Sequence, residues 1–224
     1  MTISALGQSF LPSVWRPLRL GTLVRNHWML FAYTVILMTA FNFFSHGTQD
    51  LYPTFLQAQH QFDTHTVSTL VIIANLGAIA GGLSFGAFSQ RVGRRRAIIT
   101  AALLALPVIP LWAFSTNLVL LALGAFLIQV CVQGAWGVIP VHLNELSPDE
   151  VRATFPAFTY QLGNLLASAN ATLQAGFAED RGNNYGMALA VVATLAAVTV
   201  AILTYLGREK HSVEFGAEST QVRA

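Results

Sequence analysis

The chain has 224 residues, of which 54% are hydrophobic and only 10% are charged, with a formal net charge of +2. Because soluble domains carry about 25% charged residues, this composition excludes a soluble globular fold and indicates a chain solvated by lipid. The single cysteine, Cys131, excludes a disulfide within the chain and argues against a cysteine metal site, so neither a metal nor a cofactor is predicted.

The amino-terminal segment, residues 1–27, is amphiphilic and too polar to cross a membrane. It alternates Trp15 and Leu18 with Arg16 and Arg19, which predicts a connector or a segment lying along the membrane surface. Residues 28–206 contain six stretches of roughly 20 mostly apolar residues, the length of a membrane-spanning helix. They are Trp28–Leu56, Val67–Phe88, Ala97–Phe114, Leu118–Val141, Thr154–Ala178 and Tyr185–Leu206. The sequence therefore predicts an all-α membrane protein of six helices, followed by a polar tail at 207–224.

The first predicted helix carries polar side chains where the membrane makes them costly. Asn42, His46, Asp50 and Thr54 recur every four residues and therefore share one face of a helix. His46 and Asp50 lie one turn apart, close enough to share a proton, and ionisable residues within a span are usually functional. The alternative is hydrogen bonding between helices, which small polar side chains often provide in membranes.

The second predicted helix contains two pairs of glycines at a spacing of four, Gly77 with Gly81 and Gly82 with Gly86. This spacing predicts close packing against a neighbouring helix. The loop that follows is basic, and from Gly86 it reads Gly-Ala-Phe-Ser-Gln-Arg-Val-Gly-Arg-Arg.

The positions of the basic residues predict the orientation of the helices. Eleven of the 12 lysine and arginine residues fall before the first helix, after the second, after the fourth or after the sixth. Only Arg181 falls on the opposite side. Because basic residues are enriched in cytoplasmic loops, both termini are predicted to be cytoplasmic. The same topology accounts for the pI near 9.0, so no nucleic-acid partner is predicted.

Amide side chains recur at helical spacing in the fourth and fifth predicted helices. Amides can donate hydrogen bonds to a carboxylate without adding a charge of their own. Contacts between helices are the alternative, and for the last two residues they are the better interpretation. In chain order the polar positions are Gln129, Gln133, Gln161, Asn164, Ser168, Asn170 and Gln174.

The end of the fourth helix does not indicate an enzyme, and no catalytic residue is predicted. His142-Leu-Asn-Glu145 lacks the His-Glu-x-x-His order that places two metal ligands on one helix face. Glu145 and the acidic residues after it predict a solvated loop that can pair with Arg94 to Arg96.

The basic loop resembles the cytoplasmic signature of the major facilitator superfamily. That signature is Gly, three residues, Asp, Arg, any residue, Gly, Arg, and Arg or Lys; here Gln90 replaces the acidic residue. In that family the loop is a gating and stability element on the inner face. The matching positions are Gly86, Arg91, Gly93, Arg94 and Arg95.

The first helix more specifically resembles the seventh-helix motif of fungal lactate/pyruvate–proton symporters, which belong with the sialate–proton symporters of the same superfamily. The resemblance implies that His46 and Asp50 couple protons and that Asn42 and Ser45 bind substrate. A Gln-x-x-Asn pair on the family's eleventh helix extends substrate binding to Gln161 and Asn164. The seven motif positions are filled by Asn42, Ser45, His46, Thr48, Gln49, Asp50 and Thr54.

The resemblance implies proton-coupled transport of a small monocarboxylate, of the lactate, pyruvate or acetate class, across the plasma (inner) membrane. The chain corresponds to the second half of such a transporter, helices seven to twelve. The expected partners are the lipid bilayer, a small carboxylate, protons and an amino-terminal six-helix half, which in that family supplies the basic residues for the carboxylate. The alternative is a truncated or split-gene half-transporter with no transport activity of its own.

Overall fold

A computed structural model describes residues 27–148, 151–152 and 154–207. The predicted connector, apart from His27, and the predicted tail after Gly207 lie outside these residues. The chain divides into two compact units at Tyr33, and the first unit contributes only residues 27–32 to the described part. The described residues form eight α-helices: α1 (Trp28–Gln49), α2 (Tyr52–Ala58), α3 (Thr64–Val92), α4 (Arg94–Phe114), α5 (Leu118–Leu146), α6 (Phe155–Ala167), α7 (Asn170–Glu179) and α8 (Tyr185–Leu206).

Five helical stretches among the described residues are long and apolar enough to cross a membrane: Trp28–Ala58, α3, α4, α5 and α8. The stretch predicted as the fifth span, Thr154–Ala178, forms the two shorter helices α6 and α7 instead. The predicted all-α fold with six helical segments is confirmed. The prediction of one continuous fifth helix is wrong.

The break between α6 and α7 has a local cause at Ser168. Both its backbone N–H and its hydroxyl donate to the carbonyl of Leu165, at 3.3 and 2.7 Å. Bonds to the residue three positions back tighten the turn and compete with the regular helical pattern. Because hydrocarbon offers the backbone no partner, an interruption of this kind must be covered by protein or face a cavity.

A second interruption separates α1 from α2 at residues 50–51. Pro53 has no N–H to donate to the carbonyl of Gln49, and its ring would clash with that carbonyl in a regular helix. The chain therefore turns before Pro53, which lies in the first turn of α2. The predicted polar stripe is divided as a result, because Thr54 belongs to α2.

α3 and α5 pack with their backbones in contact at glycines. A Cβ atom at Gly77 would overlap the backbone of Phe126, and one at Gly81 would overlap the backbone of Val130. The packing predicted for these two glycines is confirmed. A Cβ atom at Gly86 would have no neighbour within 4 Å, so the packing prediction is wrong at that position.

α4 and α8 are in contact, and each buries several alanines completely. Side chains this small let two helices approach closely where lipid supplies no hydrophobic driving force between them. The fully buried alanines are Ala97, Ala101 and Ala105 on α4 and Ala193 and Ala197 on α8.

The turn between α2 and α3 holds a histidine between two phenylalanine rings. The ring centroid of His60 lies 4.7 Å from that of Phe55 and 5.4 Å from that of Phe62. Its Nε2 atom is buried without a hydrogen-bond partner in the described part of the chain. Burial lowers the pKa of His60 below its ordinary value of 6.5, because the charged imidazolium loses hydration.

Acidification from about pH 7 to about pH 5 should therefore destabilise the protein through His60. Since the pKa is lower in the folded state, the unfolded chain binds the proton more tightly; the stabilisation is present above pH 6.5 and is lost as the pH falls toward the folded-state pKa. His60→Phe should reduce the drop in melting temperature in detergent, whereas His65→Phe, at an exposed histidine, should not. An equal drop in both variants would contradict this role.

Gly81→Ala should destabilise the protein, whereas Gly86→Ala should not. A methyl group at residue 81 overlaps backbone that can yield only if α3 and α5 separate, and such overpacking costs about 1–3 kcal/mol. At residue 86 the methyl group enters open space, and the better helix propensity of alanine favours the variant by about 1 kcal/mol. Melting temperatures in detergent compare the two, and equal values would refute the glycine contact.

Candidate functional site

Asn42 is the deepest polar residue of the predicted stripe. Its side chain is 1% exposed, and its Nδ2 atom donates to the carbonyl of Met38 at 2.8 Å. Its Oδ1 atom has no partner in the described part of the chain. One N–H of the amide is used by its own helix, which leaves the second N–H and the oxygen for another group.

His46 and Asp50 form a pair where α1 ends. The Nδ1 atom of His46 lies 3.2 Å from the Oδ1 atom of Asp50, and the two side chains are 42% and 37% exposed. The predicted proximity is confirmed, since residues four apart are neighbours on a helix. Both side chains are partly exposed at this end of α1.

The other polar residues of the motif connect α1 to α5. Ser45 Oγ accepts from Gln49 Nε2 at 2.8 Å and from Gln133 Nε2 at 3.5 Å. Gln129 Nε2 donates to Thr48 Oγ1 at 3.4 Å. Gln129 and Gln133 thus make contacts between helices, which was one of the two roles that the sequence predicted for them. The hydroxyl hydrogen of Ser45 remains available for a further acceptor.

α6 carries Gln161 and Asn164 and contacts α1 at a glycine. A Cβ atom at Gly163 would lie 2.7 Å from the Cβ atom of Met38, so α6 and α1 touch there. Gln161 is exposed and Asn164 half-buried. Among the described residues, neither side chain hydrogen-bonds to α1. Both amides are therefore free to meet a ligand, and their predicted role in substrate binding stays a prediction.

α7 contacts α1 through the amide of Gln174, for which the sequence favoured a contact between helices over substrate binding. Gln174 is fully buried, and its Nε2 atom donates to the carbonyl of Gly47 at 2.8 Å. A side chain at Gly47 would crowd Val192, which places α8 at the same point. The glycine in the middle of the motif, which sequence reasoning passed over, is where three helices meet.

Sequence reasoning also missed an aromatic cluster. Trp136 on α5 makes edge-to-face contacts with Phe41 on α1, at 5.8 Å between ring centroids, and with Tyr160 on α6, at 5.9 Å. Its indole N–H is buried without a partner in the described residues. The sequence did contain a signal for this cluster. Trp136 lies three residues after Gln133 and therefore shares its face of α5.

The opposite end of the bundle holds the basic loop. Gly93 separates α3 from α4 with a φ of 94°, a conformation that favours glycine. The guanidinium of Arg94 donates to Ser89 Oγ at 2.9 Å, to Gln90 Oε1 at 3.2 Å and to Glu145 Oε1 at 3.3 Å. Gln90, which stands at the acidic position of the signature, thus still accepts from an arginine.

The prediction of a solvated loop is wrong for Glu145. This residue lies on α5, and its side chain and that of Arg94 are only 6% and 12% exposed. The predicted ion pair to the arginine cluster is confirmed. The apolar run before Glu145 concealed its burial, because α5 continues to Leu146 beyond the predicted span.

Arg95 closes the end of α8. Its guanidinium donates to the carbonyl of Thr204 at 3.0 Å and to that of Tyr205. The last carbonyls of a helix have no partner within it and carry partial negative charge, so a cation is favourable there. Arg94 and Arg95 together join α3, α4, α5 and α8, whereas Arg91 is exposed.

Comparison with known proteins gives a consistent match. The sequence model of the sugar (and other) transporter family matches residues 26–209. The chain is 36% identical over 182 residues to a carboxylic acid transporter protein homolog of Saccharomyces cerevisiae, which is 81% of this chain and 29% of that protein. It is 29% identical over 138 residues to the glucose transporter GlcP of Staphylococcus epidermidis, 62% of this chain and 31% of that protein. The chain thus spans less than a third of these relatives' length.

Glu145→Ala should destabilise the protein much more than Arg91→Ala. Removing one partner of a buried ion pair leaves the other charge without compensation, and for this pair we expect a loss of about 3 kcal/mol, at the lower end for buried pairs. Arg91 is exposed and should contribute little. Melting temperatures of both variants in detergent provide the measurement. A loss no larger for Glu145→Ala than for Arg91→Ala would show that the pair does not hold α4 to α5.

Proposed function

Because the chain belongs to the sugar (and other) transporter family, to whose sequence model residues 26–209 match, we propose that it forms one half of a secondary transporter for a small monocarboxylate. The substrate, of the lactate, pyruvate or acetate class, moves together with protons. In transporters built from two halves, the substrate lies near the middle of the membrane between them.

The observation that carries this proposal is the His46 and Asp50 pair, with 3.2 Å between Nδ1 and Oδ1. A transporter that moves neutral solutes down their concentration gradient does not need an ionisable pair among the polar residues of its site. Coupling to protons does need a group that gains and loses a proton near neutral pH, which histidine does. The name of the yeast relative, a carboxylic acid transporter protein homolog, supports the same substrate class.

Proton coupling follows from the chemistry of this pair. His46 takes up a proton on the ring nitrogen, and the carboxylate of Asp50 stabilises the resulting imidazolium by charge and by hydrogen bonding. A bound proton adds positive charge next to the polar set and so favours entry of the anionic substrate. Release of the proton on the other side removes that charge and weakens binding.

The carboxylate is held by neutral donors. Asn42 offers one unused amide N–H, and Ser45 offers its hydroxyl hydrogen while accepting bonds from two glutamines. Gln161 and Asn164 offer two further amides from α6. Charged donors come from the other half, since the arginines of the described helices cluster at the far end of the bundle.

The second half is the expected partner, in the plasma (inner) membrane with both termini of this chain in the cytoplasm. The basic loop and the residues around it would then lie on the inner face, as positively charged loops do. There Arg94 with Glu145 and Arg95 with the end of α8 would act as a gating and stability element, since a change in helix packing has to break or shift these bonds.

A sugar is the second candidate substrate. The relatives include the glucose transporter GlcP and trehalose transporters of Drosophila species. Amides such as Gln129 and Gln133 suit hydroxyl groups, because an amide both donates and accepts. In that case the pair of His46 and Asp50 would bind solute hydroxyls and would not couple protons.

The experiment measures radiolabelled lactate uptake into liposomes with an inward proton gradient. One preparation contains this chain alone, and another adds an amino-terminal six-helix half from a transporter of this family; radiolabelled glucose is tested in parallel. Proton-driven lactate uptake only with the added half supports the proposal and identifies a half-transporter inactive by itself. Uptake by this chain alone would support proton-coupled carboxylate transport but would contradict the need for charged donors from the other half. Glucose uptake that does not depend on the proton gradient would contradict the proposal and identify a sugar as the substrate.

His46→Ala should lower proton-driven lactate accumulation about tenfold, which corresponds to about 1.4 kcal/mol. Exchange of labelled for unlabelled lactate without a gradient should persist, because the amide donors remain. His65→Ala, at an exposed histidine near the start of α3, serves as the matched control and should leave both activities unchanged. Unchanged accumulation and proton stoichiometry in His46→Ala would exclude His46 from proton coupling.

A further inference from the structure

An apolar cavity of about 390 Å³ lies between α1, the α6–α7 pair and α8. This volume falls within the range of small-molecule sites, which is about 300–1,000 Å³. Four aliphatic side chains of its wall are themselves more than half exposed: Ile36, Leu166, Leu173 and Leu195. The cavity therefore opens sideways between the helices rather than toward either end of them.

Asn170 is the polar group built into the wall of this cavity. Its side chain is 1% exposed, and neither its Oδ1 nor its Nδ2 atom has a hydrogen-bond partner among the described residues. It begins α7 directly after the break at Ser168. Leaving a buried amide without partners costs several kcal/mol in hydrocarbon, where no water replaces them. The position thus favours a ligand that supplies both a donor and an acceptor.

Three other polar residues lie near Asn170. Thr39, which also lines the cavity, donates its hydroxyl hydrogen to the carbonyl of Val35 at 2.8 Å. Gln174, one turn after Asn170, donates to Gly47 at 2.8 Å; its Oε1 atom has no partner among the described residues, but Gln174 does not line the cavity. Thr199 lines the cavity at its exposed edge. A ligand in this cavity therefore meets apolar walls, a hydroxyl at the edge and the amide of Asn170.

We infer that the cavity binds a fatty acid in its undissociated form, with the carboxyl group on Asn170 and the acyl chain along the aliphatic walls. A neutral carboxyl group matches an amide: its carbonyl accepts from Nδ2 while its O–H donates to Oδ1. An ester carbonyl or an alkyl chain satisfies one of these atoms or none. An ionised carboxylate is excluded, because it loses hydration and no lysine or arginine lines the cavity.

The depth of Asn170 agrees with a neutral acid. Glu179, the last residue of α7, lies nine positions after Asn170, so Asn170 is about 13 Å from that end of the helix. An undissociated acid dissolves at this depth, whereas an ionised one keeps its head group at the surface. The inference does not rest on the proposed transport, since binding is measured without a gradient and either can fail alone.

The experiment uses the full chain in nanodiscs of phosphatidylcholine with a photoactivatable, diazirine-labelled palmitic acid as the probe. After illumination, mass spectrometry locates the labelled peptides. We expect labels concentrated on α1, α7 and α8, displaced by decanoic acid and not by methyl decanoate. Asn170→Leu should lower labelling about tenfold because both hydrogen bonds are lost.

Two matched controls keep the test independent of folding. Asn75→Leu removes an exposed asparagine of α3 that bonds only to its own helix, at Val71, and should label as the unchanged protein does. Leu195→Trp fills the cavity from an exposed wall position and should abolish labelling, whereas Leu104→Trp, exposed on α4, should not. Labels spread evenly over all helices, equal displacement by the methyl ester, or full labelling of Asn170→Leu would overturn the inference.

Discussion

The absence of water in hydrocarbon is the constraint on which this structure depends. A backbone in lipid must satisfy its own polar groups, which leaves a chain this apolar with helices, and each buried polar side chain needs a partner on its own helix or a neighbour. Close approach of helices is therefore a requirement, and small residues supply it. Gly77 and Gly81 bring α3 onto the backbone of α5, and α4 and α8 are in contact and each bury several alanines.

The same constraint explains why the interruptions matter. The turn before Pro53 places Asp50 at the exposed end of α1, within hydrogen-bonding distance of His46. The break at Ser168 divides the fifth span, so that α6 presents accessible amides while α7 buries Asn170 and Gln174 against α1 and the cavity. Two local departures from regular helix thus place the ionisable pair at an exposed helix end and the amides of α7 in the interior.

At the other end of the bundle, charged side chains hold helices together, as glycines do in the middle. Arg94 reaches across to Glu145 and back to Ser89, and Arg95 occupies the carbonyl end of α8. Both arginines lie on α4 and bond to other helices. These bonds stabilise the present arrangement of α3, α4, α5 and α8 and oppose any other.

The sequence by itself determined what depends on neighbours along one helix or on composition: six helical segments in an all-α membrane protein, the proximity of His46 to Asp50, and glycines at a spacing that permits contact. Rotation and tilt of each helix lie outside such patterns. Only the tertiary structure could decide that Gln174 meets Gly47, that Trp136 joins Phe41 and Tyr160, and that Glu145 is buried. Contacts four residues apart follow from the helix repeat, whereas contacts over 24 to 127 residues follow from how helices pack.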